Sequence, residues 1–329
     1  MGFWELNLQF LAMLAAHRNA FFDFFFAAVT WLGSEYVVVA VLAVCFLLIN
    51  KKTAYKLGCS FLMSSTAVQL VKVIFRIPRP WILIREHPID APYAPLDKFG
   101  SLDKATGYSF PSGHTQSAVS LYGFLALRTN KAVWRILLFA LAALVMFSRL
   151  YLGVHTPLDV VTAAAVSILF LVLTEVFFDR LYDTKWHFVL PLAVGIASAV
   201  TAIVTLDVFD AGLFGAEEKM CYDALKVAAL GVSLPLCYLV ERRFISFDPK
   251  EGSVLRKALR LVIALGGTVG VKEIVKVFGK LIYGDLTLGT VFLSYFVMMP
   301  FAMLAVPAAE RLIVKKIAGR REKKNAGEA

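Results

Sequence analysis

The chain has 329 residues, 59% of them hydrophobic and 18% charged, with a mean hydropathy of +0.72, which excludes a soluble domain with a wettable surface. The formal net charge of +10 is spread over short basic clusters between apolar runs, which argues against a nucleic-acid partner and for an orientation signal in a membrane. Cys45, Cys59, Cys221 and Cys237 have no metal-ligand spacing and define neither a zinc site nor a disulfide framework.

In chain order, the first element is GFWELNLQFLAMLAAHRN, which mixes Trp, Phe and Leu with Glu5, His17 and Arg18. It carries neither the basic start nor the small-residue cleavage site of a signal peptide, and it reads as an interfacial helix within residues 1–22. Nine apolar runs follow, at residues 26–49, 55–75, 113–128, 132–149, 158–178, 187–206, 223–240, 258–278 and 287–309. A hydrocarbon core of about 30 Å takes about 20 helical residues to cross. The sequence therefore predicts an all-α, polytopic membrane bundle of about nine transmembrane helices, the third and fourth of them short.

The loops orient the bundle. Lys51, Lys52 and Lys56 follow the first run, Arg128, Lys131 and Arg135 the third, and Arg180 and Lys185 the fifth; ERRF and VLRKALR follow the seventh and KKIAGRREKK the ninth. Every even-numbered crossing thus starts from a basic loop, whereas LDVFDAGLFGAEEKMCYD, between the sixth and seventh, is mostly acidic. The positive-inside rule then puts the basic loops and C-terminus in the cytoplasm and the N-terminus outside.

Three polar stretches fall on the outer side. In VKVIFRIPRPW, Lys72 closes the second run and Arg79-Pro80 follows Pro78. In a continuous helix the two cations would stand about 10 Å apart along the axis, but Pro78 disfavours helix at Ile77 and lets the chain turn back. The plainer alternative is a snorkelling lysine beside ordinary flanking charges. In SFPSGHTQS, Ser112 is a candidate N-cap, Gly113 admits an anion close to the backbone, and His114 sits in the first turn beside the exposed amides. A helix cap with a histidine at the interface is the alternative there. In SRLYLGVHTPLD, Arg149 offers a bidentate guanidinium, His155 a nucleophile or base, and Asp159 a carboxylate able to fix the imidazole tautomer. TPLD also reads as a cap, with Thr156 at the N-cap, Pro157 first and Asp159 third. Three cations, two histidines, a carboxylate and a helix N-terminus on one face suit a tetrahedral oxyanion. Paired carboxylates at magnesium-ligand spacing are lacking on that face, so no metal or other cofactor is expected.

Lys72 with Arg79-Pro80, Pro111 to His114, and Ser148-Arg149 with His155 and Asp159 resemble, in order and spacing, the three-part signature of the type-2 phosphatidic acid phosphatase superfamily, which includes lipid phosphate phosphatases and vanadium haloperoxidases. The likeness covers roughly residues 20–180. It implies that His155 attacks phosphorus in line to give a phosphohistidine while Asp159 orients its ring, and that His114 protonates the leaving oxygen and later activates water. Lys72, Arg79, Ser112, the Gly113 amide and Arg149 would hold the phosphoryl oxygens. It also implies work at the outer membrane face on lipid phosphates or isoprenyl diphosphates such as undecaprenyl diphosphate. The expected partners are then a lipid phosphate substrate and the bilayer, with the oligomeric state open.

The expected organisation is an interfacial helix at 1–22, a phosphatase core of about five helices at 23–180, about four further helices at 181–310 that the signature does not explain, and a basic cytoplasmic tail at 311–329. In the additional region Lys272, Glu273 and Lys276 lie near the outer end of the eighth run, where they either approach the site from the side or pair with one another. Arg85 and His87, in the stretch 81–110, are open candidates for headgroup contact. Nine spans with an outside N-terminus also resemble the layout of glucose-6-phosphatase, a sugar phosphatase of the same superfamily; Asp159 and the short stretch between the second and third motifs favour a lipid instead. A haloperoxidase and a lipid transporter or scramblase are the remaining alternatives, the last placing the main work in the four additional spans.

Overall fold

The structure, a computed structural model, describes residues 3–86, 107–212 and 219–327, with side chains described at 5–84, 107–212 and 221–316. Among the described residues every regular element is a helix. The first half holds α1 (Phe3–Ala16), α2 (Ala20–Trp31), α3 (Glu35–Val44, continued by a π turn at Cys45–Ile49), α4 (Lys51–Phe75), α5 (Pro80–Glu86), α6 (Gly113–Ala126), α7 (Ala132–Tyr151) and α8 (Pro157–Tyr182). The second half holds α9 (Val189–Asp210), α10 (Lys219–Val240, continued by a π turn at Glu241–Ile245), α11 (Val254–Tyr283), α12 (Leu288–Phe296) and α13 (Val306–Gly327).

Helices occupy all nine predicted runs, but they do not all qualify as crossings. Six segments are long and apolar enough: Lys51–Ile84, Ala132–Tyr151, Pro157–Tyr182, Val189–Asp210, Cys221–Ile245 and Leu288–Lys316; α2 and α3, bent by 44°, make a seventh if taken together. The chain is a multi-pass membrane protein. The two remaining runs depart for different reasons. The 14-residue α6 spans about 21 Å, and it is packed among α4, α7 and α8. The 30-residue α11 is long enough, but Arg256, Lys257, Arg260, Lys272, Glu273, Lys276 and Lys280 interrupt its apolar sequence.

The central helix is α4, which touches α6, α8, α9 and α10. Its buried positions include Ser60, Ser64, Ser65 and Thr66, the small polar residues that let helices approach where lipid supplies no hydrophobic push between them. Gln116 Nε2 donates to Ser64 Oγ at 2.7 Å, and Ser64 Oγ lies 2.9 Å from Ser120 Oγ, joining α4 to α6. Thr66 Oγ1 lies 3.0 Å from Ser198 Oγ, joining α4 to α9. A Cβ on Gly231 would stand 1.8 Å from Ser198 Oγ, so α10 reaches α9 this closely only as glycine.

The helix expected to lie in the interface is docked on the bundle. Leu8 and Leu11 of α1 are fully buried, α1 packs on α7, and the Leu158 amide donates to Asn7 Oδ1 at 3.4 Å. Arg18 Nε donates to Tyr151 O at 3.0 Å, and Tyr151 OH donates to Asp23 Oδ1 at 3.0 Å. These contacts pin the N-terminal segment over the end of the bundle that carries the three motifs.

Candidate active site

The first motif is shaped by a helix stop. α4 ends at Phe75, Arg76 takes the left-handed conformation at φ 49°, and its amide closes on Lys72 O at 3.0 Å. A non-glycine residue there is uncommon; it breaks the helix but does not turn the chain back as Pro78 led the sequence to predict, because α4 and α5 continue as one segment, Lys51–Ile84, and Lys72 and Arg79 meet instead through residues 107–109, to which both donate. Lys72 Nζ donates to Tyr108 O at 3.0 Å. The buried Arg79 donates from Nε to Gly107 O at 3.0 Å and from Nη1 to Val154 O at 3.1 Å.

The segment 107–109 is therefore a strap joining the first motif to the third. Its return path is fixed by the Ser109 amide, which donates to Ile77 O at 2.8 Å. Ser109 Oγ donates to Asp159 Oδ2 in a short hydrogen bond and lies 3.3 Å from His155 Nδ1. Ser109 was not singled out from the sequence, although it stands in the quoted stretch SFPSGHTQS; its signal was proximity to Pro-Ser-Gly-His and nothing more. Thr30, whose Oγ1 accepts from Arg149 Nη1, carried no signal, because α2 reads as an ordinary apolar helix.

His155 is the hub. Its Nδ1 faces Asp159 Oδ2 at 3.3 Å and its Nε2 faces Arg79 Nη1 at 3.0 Å. An arginine can only donate, so Nε2 is the accepting nitrogen and the proton of the neutral ring belongs on Nδ1, toward the carboxylate. The ring is 2% exposed. Burial first, then the positive charges of Arg79, Arg149 and Lys72, hold the His155 pKa well below the ordinary histidine value. Both electrostatics and hydrogen bonding thus point to a neutral imidazole whose Nε2 lone pair is directed at Arg79.

Asp159 serves two structures at once. Thr156 caps α8 with its side chain, and Asp159 Oδ2 accepts from the Thr156 amide at 2.8 Å, completing a capping box with Pro157 in the first turn. The same oxygen faces His155, so the two readings of TPLD hold together.

The second motif closes the site from the other side. The Ser112 amide donates to Asp159 O at 3.0 Å, which locks the start of α6 to the start of α8. The Ser112 side chain is fully buried and accepts from the Thr115 amide at 3.4 Å, acting as the N-cap. Gly113 and His114 follow, and His114 lies within the electrostatic reach of Arg149, His155, Arg79 and Lys72. A Cβ on Gly33 would stand 2.5 Å from Val145 Cγ1 and 3.0 Å from His114 O, so the bend between α2 and α3 presses on the histidine backbone. Arg149 is buried in the last turn of α7, and its Nε has no hydrogen-bond partner among the described residues.

Direct hydrogen bonds thus gather Lys72, Arg79, Ser109, Ser112, His155 and Asp159, with His114 and Arg149 in the same electrostatic neighbourhood. The structure turns the Ser112 hydroxyl into the helix cap. His87 and the side chain of Arg85 lie outside the described residues.

The chain is 35% identical over 133 residues to the undecaprenyl-diphosphatase of Sulfolobus acidocaldarius, covering 39% of this chain and 57% of that one. It is 25% identical over 178 residues to a probable sphingosine-1-phosphate phosphatase of Dictyostelium discoideum, covering 50% of this chain and 41% of the other. Its match therefore spans between two fifths and three fifths of these relatives' length. The crystal structure of Aquifex aeolicus LpxE aligns with 52% of this chain and 94% of its own, at 27% identity and a TM-score of 0.42. The family model of the PAP2 superfamily matches residues 53–183, and that of the PAP2 superfamily phosphatase transmembrane extension matches residues 225–316. With both models matched in order along about two thirds of its length, the chain belongs to the PAP2 superfamily, that of the type-2 phosphatidic acid phosphatases.

Proposed function

We propose that the protein is a membrane lipid phosphatase that hydrolyses a lipid phosphate monoester or an isoprenyl diphosphate, through a phosphohistidine on His155 and without a metal. The observation that carries this reading is the relay Arg79–His155–Asp159, in which a neutral imidazole presents Nε2 beside a guanidinium donor. A phosphoryl group entering beside Arg79 takes over that donor and leaves the Nε2 lone pair to attack phosphorus. As the N–P bond forms, the ring becomes cationic and Asp159 balances it across Nδ1–H.

His114, at the N-terminus of α6, gives its proton to the leaving oxygen and later removes one from the attacking water. Lys72, Arg79, Arg149 and the Gly113 amide meet the charge that builds on the phosphoryl oxygens, with Ser112 holding the cap that aims the amide. In this reading residues 23–180 are the catalytic core and residues 181–310 an appended helical region, with 1–22 docked at the mouth and 311–329 a basic tail. The basic loops face the cytoplasm and the site opens outside. The names of the relatives support a lipid substrate, an isoprenyl diphosphate among them.

The test is phosphate release by purified protein in detergent with EDTA present, across undecaprenyl diphosphate, phosphatidic acid, phosphatidylglycerophosphate, sphingosine phosphate and glucose 6-phosphate, beside His155→Ala. Metal-independent release lost in the variant is expected, with a lipid preferred over the sugar phosphate. No release from any of them refutes the reading and favours a transporter built on the same fold.

A further inference from the structure

The appended helices carry a second group of cations that the signature does not use. Lys226 of α10 and Lys272 and Lys276 of α11 converge on the ring of Tyr295 in α12, with ammonium nitrogens 5.9, 5.8 and 5.9 Å from its centroid. One cation satisfies an aromatic face; three like charges brought to one ring from two helices repel each other unless something negative joins them. Their ion-pair partners are local, with Glu35 of α3 in the same electrostatic neighbourhood. Lys226 pairs with Asp223 at 2.7 Å, and Lys272 and Lys276 share Glu273 at 3.1 and 3.5 Å, each pair within a single helix. Asp223 and Glu273 are 45% and 53% exposed, and such pairs are worth at most about 1 kcal/mol, so an incoming anion can displace them.

The cluster adjoins the phosphatase centre. Val73, next to Lys72, packs in one apolar group with Cys221, Ala224 and Leu225 of α10, and Asp223 reaches electrostatically both to Lys72 and Arg79 and to Glu35, itself beside Lys226 and Lys272. The lysines also lie well inside their helices: at 1.5 Å per residue, Lys276 stands about 10 Å from the end of α11 at Tyr283 and Lys226 about 10 Å from the start of α10 at Lys219. Ionisable groups kept at such depth are costly and mark ligand paths.

We infer that Lys226, Lys272 and Lys276 form a second anion subsite, which takes a further phosphoryl group of the lipid substrate beside the one removed. This rests on the phosphatase reading above and gives the appended helices a role in selecting substrates that carry two phosphoryl groups.

The test compares kcat/KM for phosphatidylglycerophosphate with that for phosphatidic acid of the same acyl chains, in wild type, Lys226→Gln, Lys272→Gln/Lys276→Gln and the charge-keeping Lys272→Arg/Lys276→Arg. Loss of a charge-assisted contact is worth about tenfold or more, so the glutamine variants lower the ratio by about that factor, mainly through KM, and the arginine variant keeps it. An unmoved ratio, or equal loss on both lipids in variants whose melting temperature is unchanged, overturns the inference. Weaker inhibition by inorganic phosphate with an unmoved lipid ratio overturns it too, by assigning the cluster to free phosphate. Calorimetric binding of short-chain forms of both lipids to His155→Ala reads the subsite without turnover. A wild type that releases no phosphate but whose His155→Ala form binds the doubly phosphorylated lipid more tightly, dependent on the lysines, refutes the phosphatase reading and keeps the subsite.

Discussion

The two ends of the bundle are built from the same residue types and use them in opposite ways. At the end bearing the basic loops, cations meet carboxylates across helices. Lys51 pairs with Glu241 at 2.8 Å, Lys56 with Glu175 and Asp179 at 2.8 and 2.6 Å, and Arg256 and Arg260 both with Glu310. The first pair joins the appended helices to the core, the second closes within the core and the third within the appended helices. At the motif end, Lys72, Arg79 and Arg149 direct donors at backbone carbonyls, an imidazole and a hydroxyl. A buried cation without a counter-charge is costly. A phosphoryl group arriving with the substrate offers these donors a full negative charge.

That contrast breaks most sharply at Asp159, where the motif end does hold a carboxylate. Asp159→Asn keeps an oxygen able to accept from Ser109 and the Thr156 amide, so the fold survives, but the charge that supports the imidazolium is gone. The expected loss in kcat is about 10²–10⁴-fold, measured as steady-state phosphate release, with the melting temperature little changed. A variant that keeps full activity would remove Asp159 from the mechanism.

The reverse result is expected at the basic end. Arg260 is 3% exposed and donates to both Glu310 oxygens, to Leu47 O and to Pro249 O. Glu310→Gln leaves it buried without its counter-charge, which costs about 3–5 kcal/mol and lowers the melting temperature in detergent, while the folded fraction keeps its kcat.

What the sequence made legible follows the range of the interactions. The helix stop before Arg79, the cap at Ser112 and the capping box at Thr156 and Asp159 are decided within a few residues, and each stands where local chemistry puts it. The convergence of Lys72, Arg79, His155 and Asp159 was readable only because three motifs fell on loops of one predicted side. The strap at 107–109 was not readable: its hydrogen bonds run through the carbonyls of Gly107 and Tyr108, groups every residue possesses. Nor was the lysine cluster resolved. Lys272, Glu273 and Lys276 offered two readings, pairing or approach from the side, and they do pair; Lys226 and Tyr295 join them only through packing among α10, α11 and α12. Hydropathy likewise found the nine helical runs but not the bend between α2 and α3, which depends on Gly33 seating against Val145 and His114.

Ser109 sharpens the comparison at a smaller scale, because it is a neutral residue among charges. Ser109→Ala removes the hydroxyl that bridges Asp159 and His155 but leaves the carboxylate and the ring in place. One buried hydrogen bond to a charged group is worth about 1.5–3 kcal/mol, so kcat should fall about tenfold to a hundredfold. Loss of activity as deep as that of His155→Ala would mean the strap itself, rather than the hydroxyl, had moved.

The smallest effect is a shift along the pH axis, and it reads the positive charge of the motif end directly. His155 stands in the turn between α7 and α8, where burial together with Arg79, Arg149 and Lys72 holds its pKa well below 6.5, against the opposing pull of the Ser109 contact. A base with a lowered pKa stays neutral as the pH falls, so the acid limb of kcat/KM should lie below the ordinary histidine range. Arg79→Gln removes the nearest of these charges. The pKa then rises toward 6.5, and the acid limb of the residual activity should move to higher pH in step. Burial and then Arg149, His155, Arg79 and Lys72 hold the His114 pKa well below the ordinary histidine value too, so it holds the proton it must donate only when the negative phosphoryl group of the substrate stands beside it, and the rate should fall on the alkaline side as that proton is lost, giving a bell. A rate that climbs steadily into strongly alkaline solution would leave no place for a second histidine acting as acid, and an acid limb unmoved in Arg79→Gln would show that another group sets it.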